Sequence, residues 1–239
     1  MLEIRSLSLA FGGVHALNAL SLSLGRGEML SIMGPNGCGK TTLLNALTGQ
    51  VRPQSGTALL DGVSLLGRTP DRIARLGVGR KFQVPSVFDD LSVLDNLRVA
   101  QSACRGERRH SGALPVLADV LQEIFLQDQA GVLAGELSHG AKQWLEIGML
   151  LSQQPRLMLL DEPTAGMSQA ETLATVKLLQ RLQTLFGVAI VVVEHDMHFI
   201  EALGARVLVM IAGRAVADGS YAQVRSLQQV REAYLGTQA

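Results

Sequence analysis

Apolar and polar positions alternate through the first part of the chain. Between residues 2 and 33, leucines alternate with serines at Leu7, Leu9, Leu20, Leu22 and Leu24. A period of two is typical of strands that bury one face. Glycine-containing turns at 12–13 and 25–27 interrupt this pattern. The segment is therefore predicted to form strands of an antiparallel sheet.

A short apolar run at residues 29–33 leads directly into a glycine-rich turn. After the turn, Leu43, Leu44 and Leu47 recur at the spacing of one helix face. The pattern predicts a strand, a loop and a helix in that order.

Two apolar runs without alternation lie in the second half of the chain, at 157–160 and 188–193. Such runs are typical of central strands in a parallel sheet. Residues 171–185 have helical periodicity, so strand, helix and strand predict a mostly parallel sheet. From about Pro85 to Gln154 helical patterns dominate, which predicts a helical lobe inserted into the sheet domain.

Composition narrows the function classes. The chain has 239 residues, 47% of them hydrophobic, which is enough to bury a substantial core. Its 21 basic and 21 acidic residues cancel, so no basic surface is expected to attract nucleic acid. The two cysteines, Cys38 and Cys104, have neither disulfide nor zinc spacing, which favours a reducing cytoplasm.

The apolar runs are too short to cross a bilayer, and the first residues lack a basic region followed by an apolar stretch. We therefore expect any membrane role to depend on partner proteins.

The glycine-rich turn satisfies the pattern G-x-x-x-x-G-K-[ST] between a predicted strand and a predicted helix. Its residues are Gly34, Pro35, Asn36, Gly37, Cys38, Gly39, Lys40, Thr41 and Thr42. Glycines let backbone N–H groups surround phosphate oxygens, and the helix start adds the positive end of its dipole. Lys40 is expected to reach the β- and γ-phosphates, and the Thr41 hydroxyl to ligate Mg²⁺. A chance glycine turn is the alternative, which the flanking elements disfavour.

Asp161 and Glu162 follow the apolar run at 157–160. A carboxylate at the end of a buried strand is suited to hold a metal ion beside phosphates, the role we assign to Asp161. Glu162 would then polarise the attacking water as general base. A solvated strand edge or a helix start is the alternative, and Pro163 favours the helix start. The phosphate loop makes the functional interpretation stronger.

With these motifs the chain resembles the ABC ATPase family, because further landmarks follow in that family's order. The landmarks are Phe11, Arg80-Lys81-Phe82-Gln83, Leu137-Ser138-His139-Gly140, Ala165-Gly166-Met167-Ser168 and Glu194-His195-Asp196. The resemblance covers essentially the whole chain.

The resemblance implies a role for each landmark. Phe11 would stack on adenine, and Gln83 would join the two lobes and sense metal and water. Ser138 and Gly140 would belong to the signature segment, which starts a helix facing the γ-phosphate bound by the opposite subunit. Residues 165–168 would contact that subunit, and His195 would hydrogen-bond the γ-phosphate and the water.

Several landmarks have ordinary structural alternatives. Phe11 by itself is more typical of a core aromatic residue. A histidine just after a buried strand, like His195, is more often structural than catalytic. Cys38 fills a variable position of the phosphate loop and is interpreted as incidental, although a nearby helix start is expected to lower the pKa of a thiol.

The signature segment departs from the common Leu-Ser-Gly-Gly-Gln, with His139 for the first glycine and Ala141 for the glutamine. The hydroxyl of Ser138 and the small residue Gly140 remain. Losing the glutamine removes one hydrogen-bonding group, and we still expect the segment to work.

The implied fold is an α/β P-loop NTPase (RecA-like) core with an N-terminal antiparallel β-subdomain and an inserted α-helical subdomain. It forms one ABC ATPase domain, 1–239, in which 1–84 and 155–239 form the core and about 85–154 the helical subdomain.

The implied activity is hydrolysis of ATP with Mg²⁺. The implied partners are a second ATP-binding subunit, identical or sister, in a head-to-tail dimer, two transmembrane permeases and, indirectly, a periplasmic solute-binding protein. The expected location is the cytoplasmic face of the cytoplasmic membrane.

Residues 77–83, 85–88, 137–140 and 142–149 are most similar to the urea (short-chain amide) importer ATPases. The ending at 230–236 is similar to a tail shared by urea and branched-chain amino acid uptake systems. Uptake of urea or a short-chain amide is therefore the first expectation, and uptake of branched-chain amino acids the alternative.

Other classes fit less well. A soluble ABC protein of DNA repair or of ribosomes is a remote alternative, because it needs a coiled-coil insertion, a second cassette or a basic patch. A GTPase needs an Asn/Thr-Lys-x-Asp motif, which the sequence lacks. A non-catalytic subunit is expected to lack Glu162 or His195, and both are present.

Overall fold

The computed structural model describes residues 1–83, 86–103 and 115–235. The described strands are β1 (Leu2–Phe11), β2 (Val14–Leu24), β3 (Met29–Met33), β4 (Ser55–Leu60), β5 (Val63–Ser64), β6 (Val78–Lys81), β7 (Leu157–Asp161), β8 (Ala189–Val193), β9 (Arg206–Ile211) and β10 (Arg214–Gly219). The described helices are α1 (Lys40–Leu47), α2 (Pro70–Arg75), α3 (Val93–Ser102), α4 (Leu117–Glu123), α5 (His139–Ser152), α6 (Gln169–Phe186), α7 (Met197–Leu203), α8 (Tyr221–Ser226) and α9 (Gln228–Leu235). Short 3₁₀ turns lie at Gln127–Gln129 and Ala134–Glu136.

The first sheet is antiparallel and has the order β2-β1-β4-β5. Leu7 of β1 pairs with Leu20 of β2, and both side chains are buried. The predicted alternation is confirmed here, because the leucines are buried while the intervening serines are exposed or partly exposed.

The second sheet has the order β10-β9-β3-β8-β7-β6. Neighbouring strands from β9 to β6 are parallel, and β10 is antiparallel to β9. Every residue of β3, β7 and β8 is buried, because both faces of a parallel sheet are covered. The predicted mostly parallel sheet is confirmed, although β8 starts one residue later than the apolar run at 188–193.

The helices α3, α4 and α5 lie between β6 and β7 in the chain, as the helical patterns predict. Leu97, Val120 and Ile147, one from each of these helices, are completely buried in a shared core. The architecture is thus an α/β P-loop core with an antiparallel β-subdomain and a helical insert. Pro85 and Cys104 lie outside the described residues.

The helix α6 extends beyond the predicted 171–185 at both ends. Ser168 caps its start, and the Glu171 carboxylate accepts a hydrogen bond in return from the Ser168 backbone N–H at 2.8 Å. Across the described ranges, no helix combines the length and the apolar character that a membrane span requires.

Candidate active site

Candidate residues follow each of four neighbouring parallel strands at one edge of the second sheet. The strand order there is β3-β8-β7-β6. The phosphate loop follows β3, His195 follows β8, Glu162 follows β7, and Gln83 follows β6. Because adjacent strands lie about 4.8 Å apart, these four components meet at one edge.

The phosphate loop packs closely against the rest of the chain at two of its glycines. A Cβ atom on Gly34 would lie 2.1 Å from the Met210 carbonyl oxygen, and one on Gly39 would lie 2.1 Å from the Ala16 carbonyl oxygen. Gly37 is different, because a Cβ would meet nothing within 4 Å and its φ is +78°. Two glycines are therefore required by packing and the third by backbone conformation.

Lys40 begins α1 and curls back over its own loop. Its side-chain Nζ donates hydrogen bonds to the carbonyl oxygens of Gly34 at 2.6 Å and Pro35 at 3.1 Å. The residue is only 8% exposed, and the neighbouring Thr41 is accessible at the same helix start. An almost buried cation beside the positive end of a helix suits a phosphate anion, so the loop fits the nucleotide predicted for it.

Cys38 differs from expectation. The thiol is buried inside the loop, and burial raises its pKa, while the positive charge of Lys40 acts in the opposite direction. The predicted lowering of the pKa by the helix start is wrong, because loss of hydration outweighs the electrostatic attraction.

Asp161 is buried at the end of β7 and faces a cation from the next strand. Its Oδ2 lies 3.4 Å from Nη2 of Arg80, whose Nη1 donates to Oδ1 of Asn45 in α1 at 2.6 Å. Burial raises the pKa of Asp161, and Arg80 opposes this shift. Arg80 thus links the predicted metal ligand to the helix of the phosphate loop, a contact that the sequence motifs did not predict.

The oxygen atoms predicted to hold Mg²⁺ fit the preference of that ion. They come from the Thr41 hydroxyl, the Gln83 amide and the Asp161 carboxylate, and Mg²⁺ prefers oxygen ligands from few protein groups. The Arg80 guanidinium is a positive charge already held beside the Asp161 carboxylate.

Glu162 is the centre of the cluster. Nε2 of Gln83 donates to Oε2 of Glu162 at 2.9 Å, and Nδ1 of His195 lies 3.5 Å from Oε1 of Glu162. Glu162 has a φ of +46°, which is strained for a residue with a side chain, and its N–H is held by the Val193 carbonyl at 2.9 Å. The structure therefore brings together the three residues predicted to be catalytic.

Glu194 holds the turn that carries His195. Its carboxylate is buried and accepts hydrogen bonds from the Thr164 hydroxyl at 2.6 Å and from the His195 N–H at 3.1 Å. The contact ties the end of β8 to the segment after β7. The sequence analysis missed Thr164 and the role of Glu194, although a charged residue directly after an apolar run was a visible signal.

The signature segment forms the start of α5. The Ser138 hydroxyl is exposed and caps the helix by accepting from the Ala141 N–H at 3.2 Å. A Cβ atom on Gly140 would lie 2.3 Å from Oε1 of Glu171 in α6. Glu171 therefore packs so closely against Gly140 that a residue with a side chain would not fit there.

His139 contacts the loop expected to touch the second subunit. Its Nε2–H donates to the Ala165 carbonyl at 3.0 Å, and its ring lies against Gly166. The residue that departs from the common signature therefore fastens the start of α5 to residues 165–168 of its own chain.

Phe11 lies at the end of β1, next to the β1–β2 turn, and its side chain is 53% exposed. The alternative of a core aromatic residue is therefore wrong. The backbone of β2 lies against the phosphate loop where the Ala16 carbonyl approaches Gly39. Stacking of Phe11 on adenine stays a prediction.

Comparisons with known proteins agree with this geometry. Residues 17–165 match the family described as ABC transporter. The ATP-binding protein BraF of high-affinity branched-chain amino acid transport in Pseudomonas aeruginosa is 35% identical, over 99% of this chain and 98% of BraF. The corresponding protein LivG of Escherichia coli K12 is 36% identical, over 99% of this chain and 98% of LivG.

Solved structures agree as well. The ADP conformation of MJ1267, an ATP-binding cassette of an ABC transporter, has a TM-score of 0.86 and 27% identity, covering 99% of this chain and 98% of MJ1267. CbiO1 of Clostridium perfringens, part of an ABC transporter complex, has a TM-score of 0.81 and 26% identity, covering 99% of this chain and 98% of CbiO1.

BraF and LivG are both named for branched-chain amino acid transport, and neither is named for urea or amide uptake. Both the family match and these identities extend over most of the chain. The chain therefore belongs to the ABC transporter family, whose ATPase subunits bind ATP with Mg²⁺ and hydrolyse it to drive transport.

Proposed function

We propose that this chain is the ATPase subunit of an importer and that its catalytic residues are those at the edge of the second sheet. The observation that carries the proposal is the contact of Gln83 and His195 with Glu162, two strands away from the strand that leads into the phosphate loop. A carboxylate held by two polar side chains beside a phosphate site is suited to activate water.

Each residue has a defined part in this proposal. The N–H groups of the loop 34–42 and the Lys40 ammonium bind phosphate oxygens. Thr41, Gln83 and Asp161 hold Mg²⁺, which supplies positive charge next to the phosphates. Glu162 accepts the proton of the attacking water, and His195 hydrogen-bonds the water and the γ-phosphate. Phe11 stacks on the adenine ring.

The proposed assembly contains two such subunits, arranged head to tail. The exposed Ser138 hydroxyl and Gly140 at the start of α5 complete the site of the opposite subunit, where a helix start favours the negative γ-phosphate. Two permeases bind the helical insert at the cytoplasmic face of the membrane, and a periplasmic binding protein delivers the solute to the permeases.

The solute that we propose is a branched-chain amino acid, which the names of BraF and LivG support. Urea or a short-chain amide is the second candidate, because residues 77–83 and 137–149 resemble the urea importers. In the structure, Trp144 of this second segment donates to the Thr175 hydroxyl at 2.9 Å and packs edge-on against Phe125. These contacts shape α5 rather than a solute site, so the solute is assigned by similarity.

Uptake by intact cells tests the proposal. Cells without this gene are compared with wild-type cells for uptake of labelled leucine and labelled urea at limiting concentration. We expect leucine uptake to fall, to be restored by the wild-type gene, and not to be restored by Glu162→Gln. A fall in urea uptake alone would overturn the amino acid assignment in favour of urea, and unchanged uptake of both would overturn both assignments.

A further inference from the structure

Gln83 lies between β6 and α3 in the chain. One carboxylate in α5 contacts a residue before Gln83 and a residue after it. The carboxylate is that of Glu146, two turns after the start of the helix. Lys81 contacts it from the strand before Gln83, and Ser86 contacts it from the chain after Gln83.

Lys81 is a completely buried cation, with 0% of its surface exposed. Its Nζ lies 3.7 Å from Oε2 of Glu146 and donates a hydrogen bond to the Phe82 carbonyl at 2.9 Å. Burial lowers the pKa of Lys81, and the nearby carboxylates of Glu146, Asp161 and Glu194 raise it. The lysine therefore lies among the acidic groups of the site, and within the described residues its ion pair is with Glu146.

Glu146 is 5% exposed and interrupts the apolar face of α5. Its Oε1 accepts from the Ser86 N–H at 3.3 Å, and its Oε2 faces Lys81 without a hydrogen bond among the described residues. Burial raises the pKa of Glu146, and Lys81 is the largest opposing influence. The carboxylate thus contacts the chain at Lys81, before Gln83, and at Ser86, after Gln83.

Net stability is a poor explanation for this arrangement. Desolvation of two buried charges consumes most of their mutual attraction, and an apolar pair of similar volume is often equally stable or more stable. What the ion pair supplies instead is a link between β6 and α5 that resists separation, because moving the two charges apart would leave each of them buried and unpaired.

We propose that Lys81 and Glu146 are positioning residues that set the place of Gln83 relative to Glu162 according to the position of α5. The same helix begins at Ser138, which is proposed to bind the nucleotide of the opposite subunit, so a displacement of α5 is transmitted through Glu146 to Gln83. The inference rests on the proposed roles of Gln83 and Glu162.

The test is the double variant Lys81→Met/Glu146→Leu in the full-length protein. Because the buried charges are removed together, the melting temperature is expected to stay the same or rise. We expect kcat for ATP hydrolysis to fall at least about tenfold while KM for ATP changes less than about twofold, since Gln83 is misplaced but the phosphate loop is intact. A folded double variant with unchanged kcat would overturn the inference, as would a change confined to KM.

A second variant decides the matter if the double variant does not fold. Glu146→Asp keeps the charge next to Lys81 but shortens the reach to the Ser86 N–H. We expect kcat to fall about threefold with KM unchanged, and a wild-type kcat would contradict the inference.

The matched control is another ion pair between the helical insert and the core. Nη2 of Arg181 in α6 lies 2.7 Å from Oε1 of Glu123 in α4, and neither residue contacts Gln83. The variant Arg181→Gln/Glu123→Gln is expected to keep both kinetic constants. An equal fall in kcat in this control variant would show that any weakened contact between the helical insert and the core slows hydrolysis. That result would overturn the specific role of Lys81 and Glu146.

Glu162→Gln separates this inference from the proposed function. If Glu162→Gln hydrolyses ATP as fast as the wild type, the proposed site fails and the inference fails with it. If Glu162→Gln is inactive and Lys81→Met/Glu146→Leu is fully active, only the inference fails.

Discussion

The edge of the second sheet and the start of α5 both carry residues assigned to ATP hydrolysis, and they are held in different ways. At the sheet edge, the order of the strands brings Gln83, Glu162 and His195 close to one another. At the start of α5, His139 and Gly140 contact residues of the 165–171 segment, and Ser138 is an exposed residue whose hydroxyl caps the helix.

The difference indicates which part of the reaction each region can perform. The sheet edge already contains a phosphate loop, a base candidate and its two polar neighbours within one chain. The start of α5 presents a capped helix end that is fastened to the expected dimer-contact loop. Variants at the sheet edge are therefore expected to affect every turnover step directly, and variants at α5 to act through a second subunit.

The largest effect is expected for Glu162→Gln. Removal of a general base lowers kcat by about 10² to 10⁴-fold, while the phosphate loop still binds ATP. Steady-state hydrolysis measures the fall in kcat, and binding of a fluorescent ATP analogue measures the retained affinity. Size-exclusion chromatography with ATP detects the closed dimer. Glu136→Gln, an exposed residue outside the cluster, is the control. Unchanged hydrolysis in Glu162→Gln would contradict the base assignment.

The two alanine variants Gly39→Ala and Gly37→Ala sharpen the account of the phosphate loop. At Gly39 the new Cβ would lie 2.1 Å from a backbone carbonyl, so overpacking by about 1–3 kcal/mol is expected together with loss of ATP binding. At Gly37 the space is open and only the backbone conformation is strained, so the loss of stability is expected to be smaller. Thermal denaturation with and without ATP measures the stability and the ATP binding of both variants. An equal loss of stability in the two variants would argue against the packing explanation.

Ser138→Ala tests the other region. The lost cap costs about 1 kcal/mol of stability, and kcat of the dimer is expected to fall about tenfold because the opposite site loses its hydroxyl. Ser92→Ala is a matched control, since Ser92 caps α3 by accepting from the Asp95 N–H at 3.1 Å. An equal loss of stability in both variants with full activity in Ser138→Ala would show that the segment does not complete a site.

The smallest effect is expected for His139→Ala. The hydrogen bond to the Ala165 carbonyl is partly exposed, so its loss costs about 0.5–1.5 kcal/mol. Hydrogen exchange of residues 165–168 is expected to accelerate while the phosphate loop stays protected. His198→Ala, at an exposed position of α7, is the control. Unchanged exchange at 165–168 would mean that His139 does not fasten this loop.

Much of the fold was accessible from local patterns. The alternating leucines predicted β1 and β2, and the continuous apolar runs predicted β7 and β8 within one residue. The strands β9 and β10 were not predicted, although residues 207–211 form a similar apolar run. The order of strands in the sheet was not accessible, because it depends on contacts between distant segments.

The residues of the candidate site likewise differ in whether the sequence alone could identify them. The phosphate loop, Asp161 and Glu162 were found from residue type and spacing, whereas Gln83, Ser138 and His195 were found through resemblance to a family. Thr164 and the roles of Arg80, Lys81 and Glu146 were missed. A charged residue inside an apolar segment signals a partner, but the sequence pattern does not say which residue that partner is.

The sequence by itself determined the strand, the turn and the helix that form the phosphate loop, and it also determined the chemistry of that loop. Glycine, lysine and a hydroxyl at fixed spacing act over a few neighbouring residues, so no distant contact is needed to recognise them. The tertiary structure decided which side chains share a neighbourhood. It placed Gln83 and His195 against Glu162, made Gly140 a packing contact of Glu171, and joined Lys81 to Glu146. These contacts depend on strand order and on helix packing between residues far apart in the chain, which local periodicity does not encode.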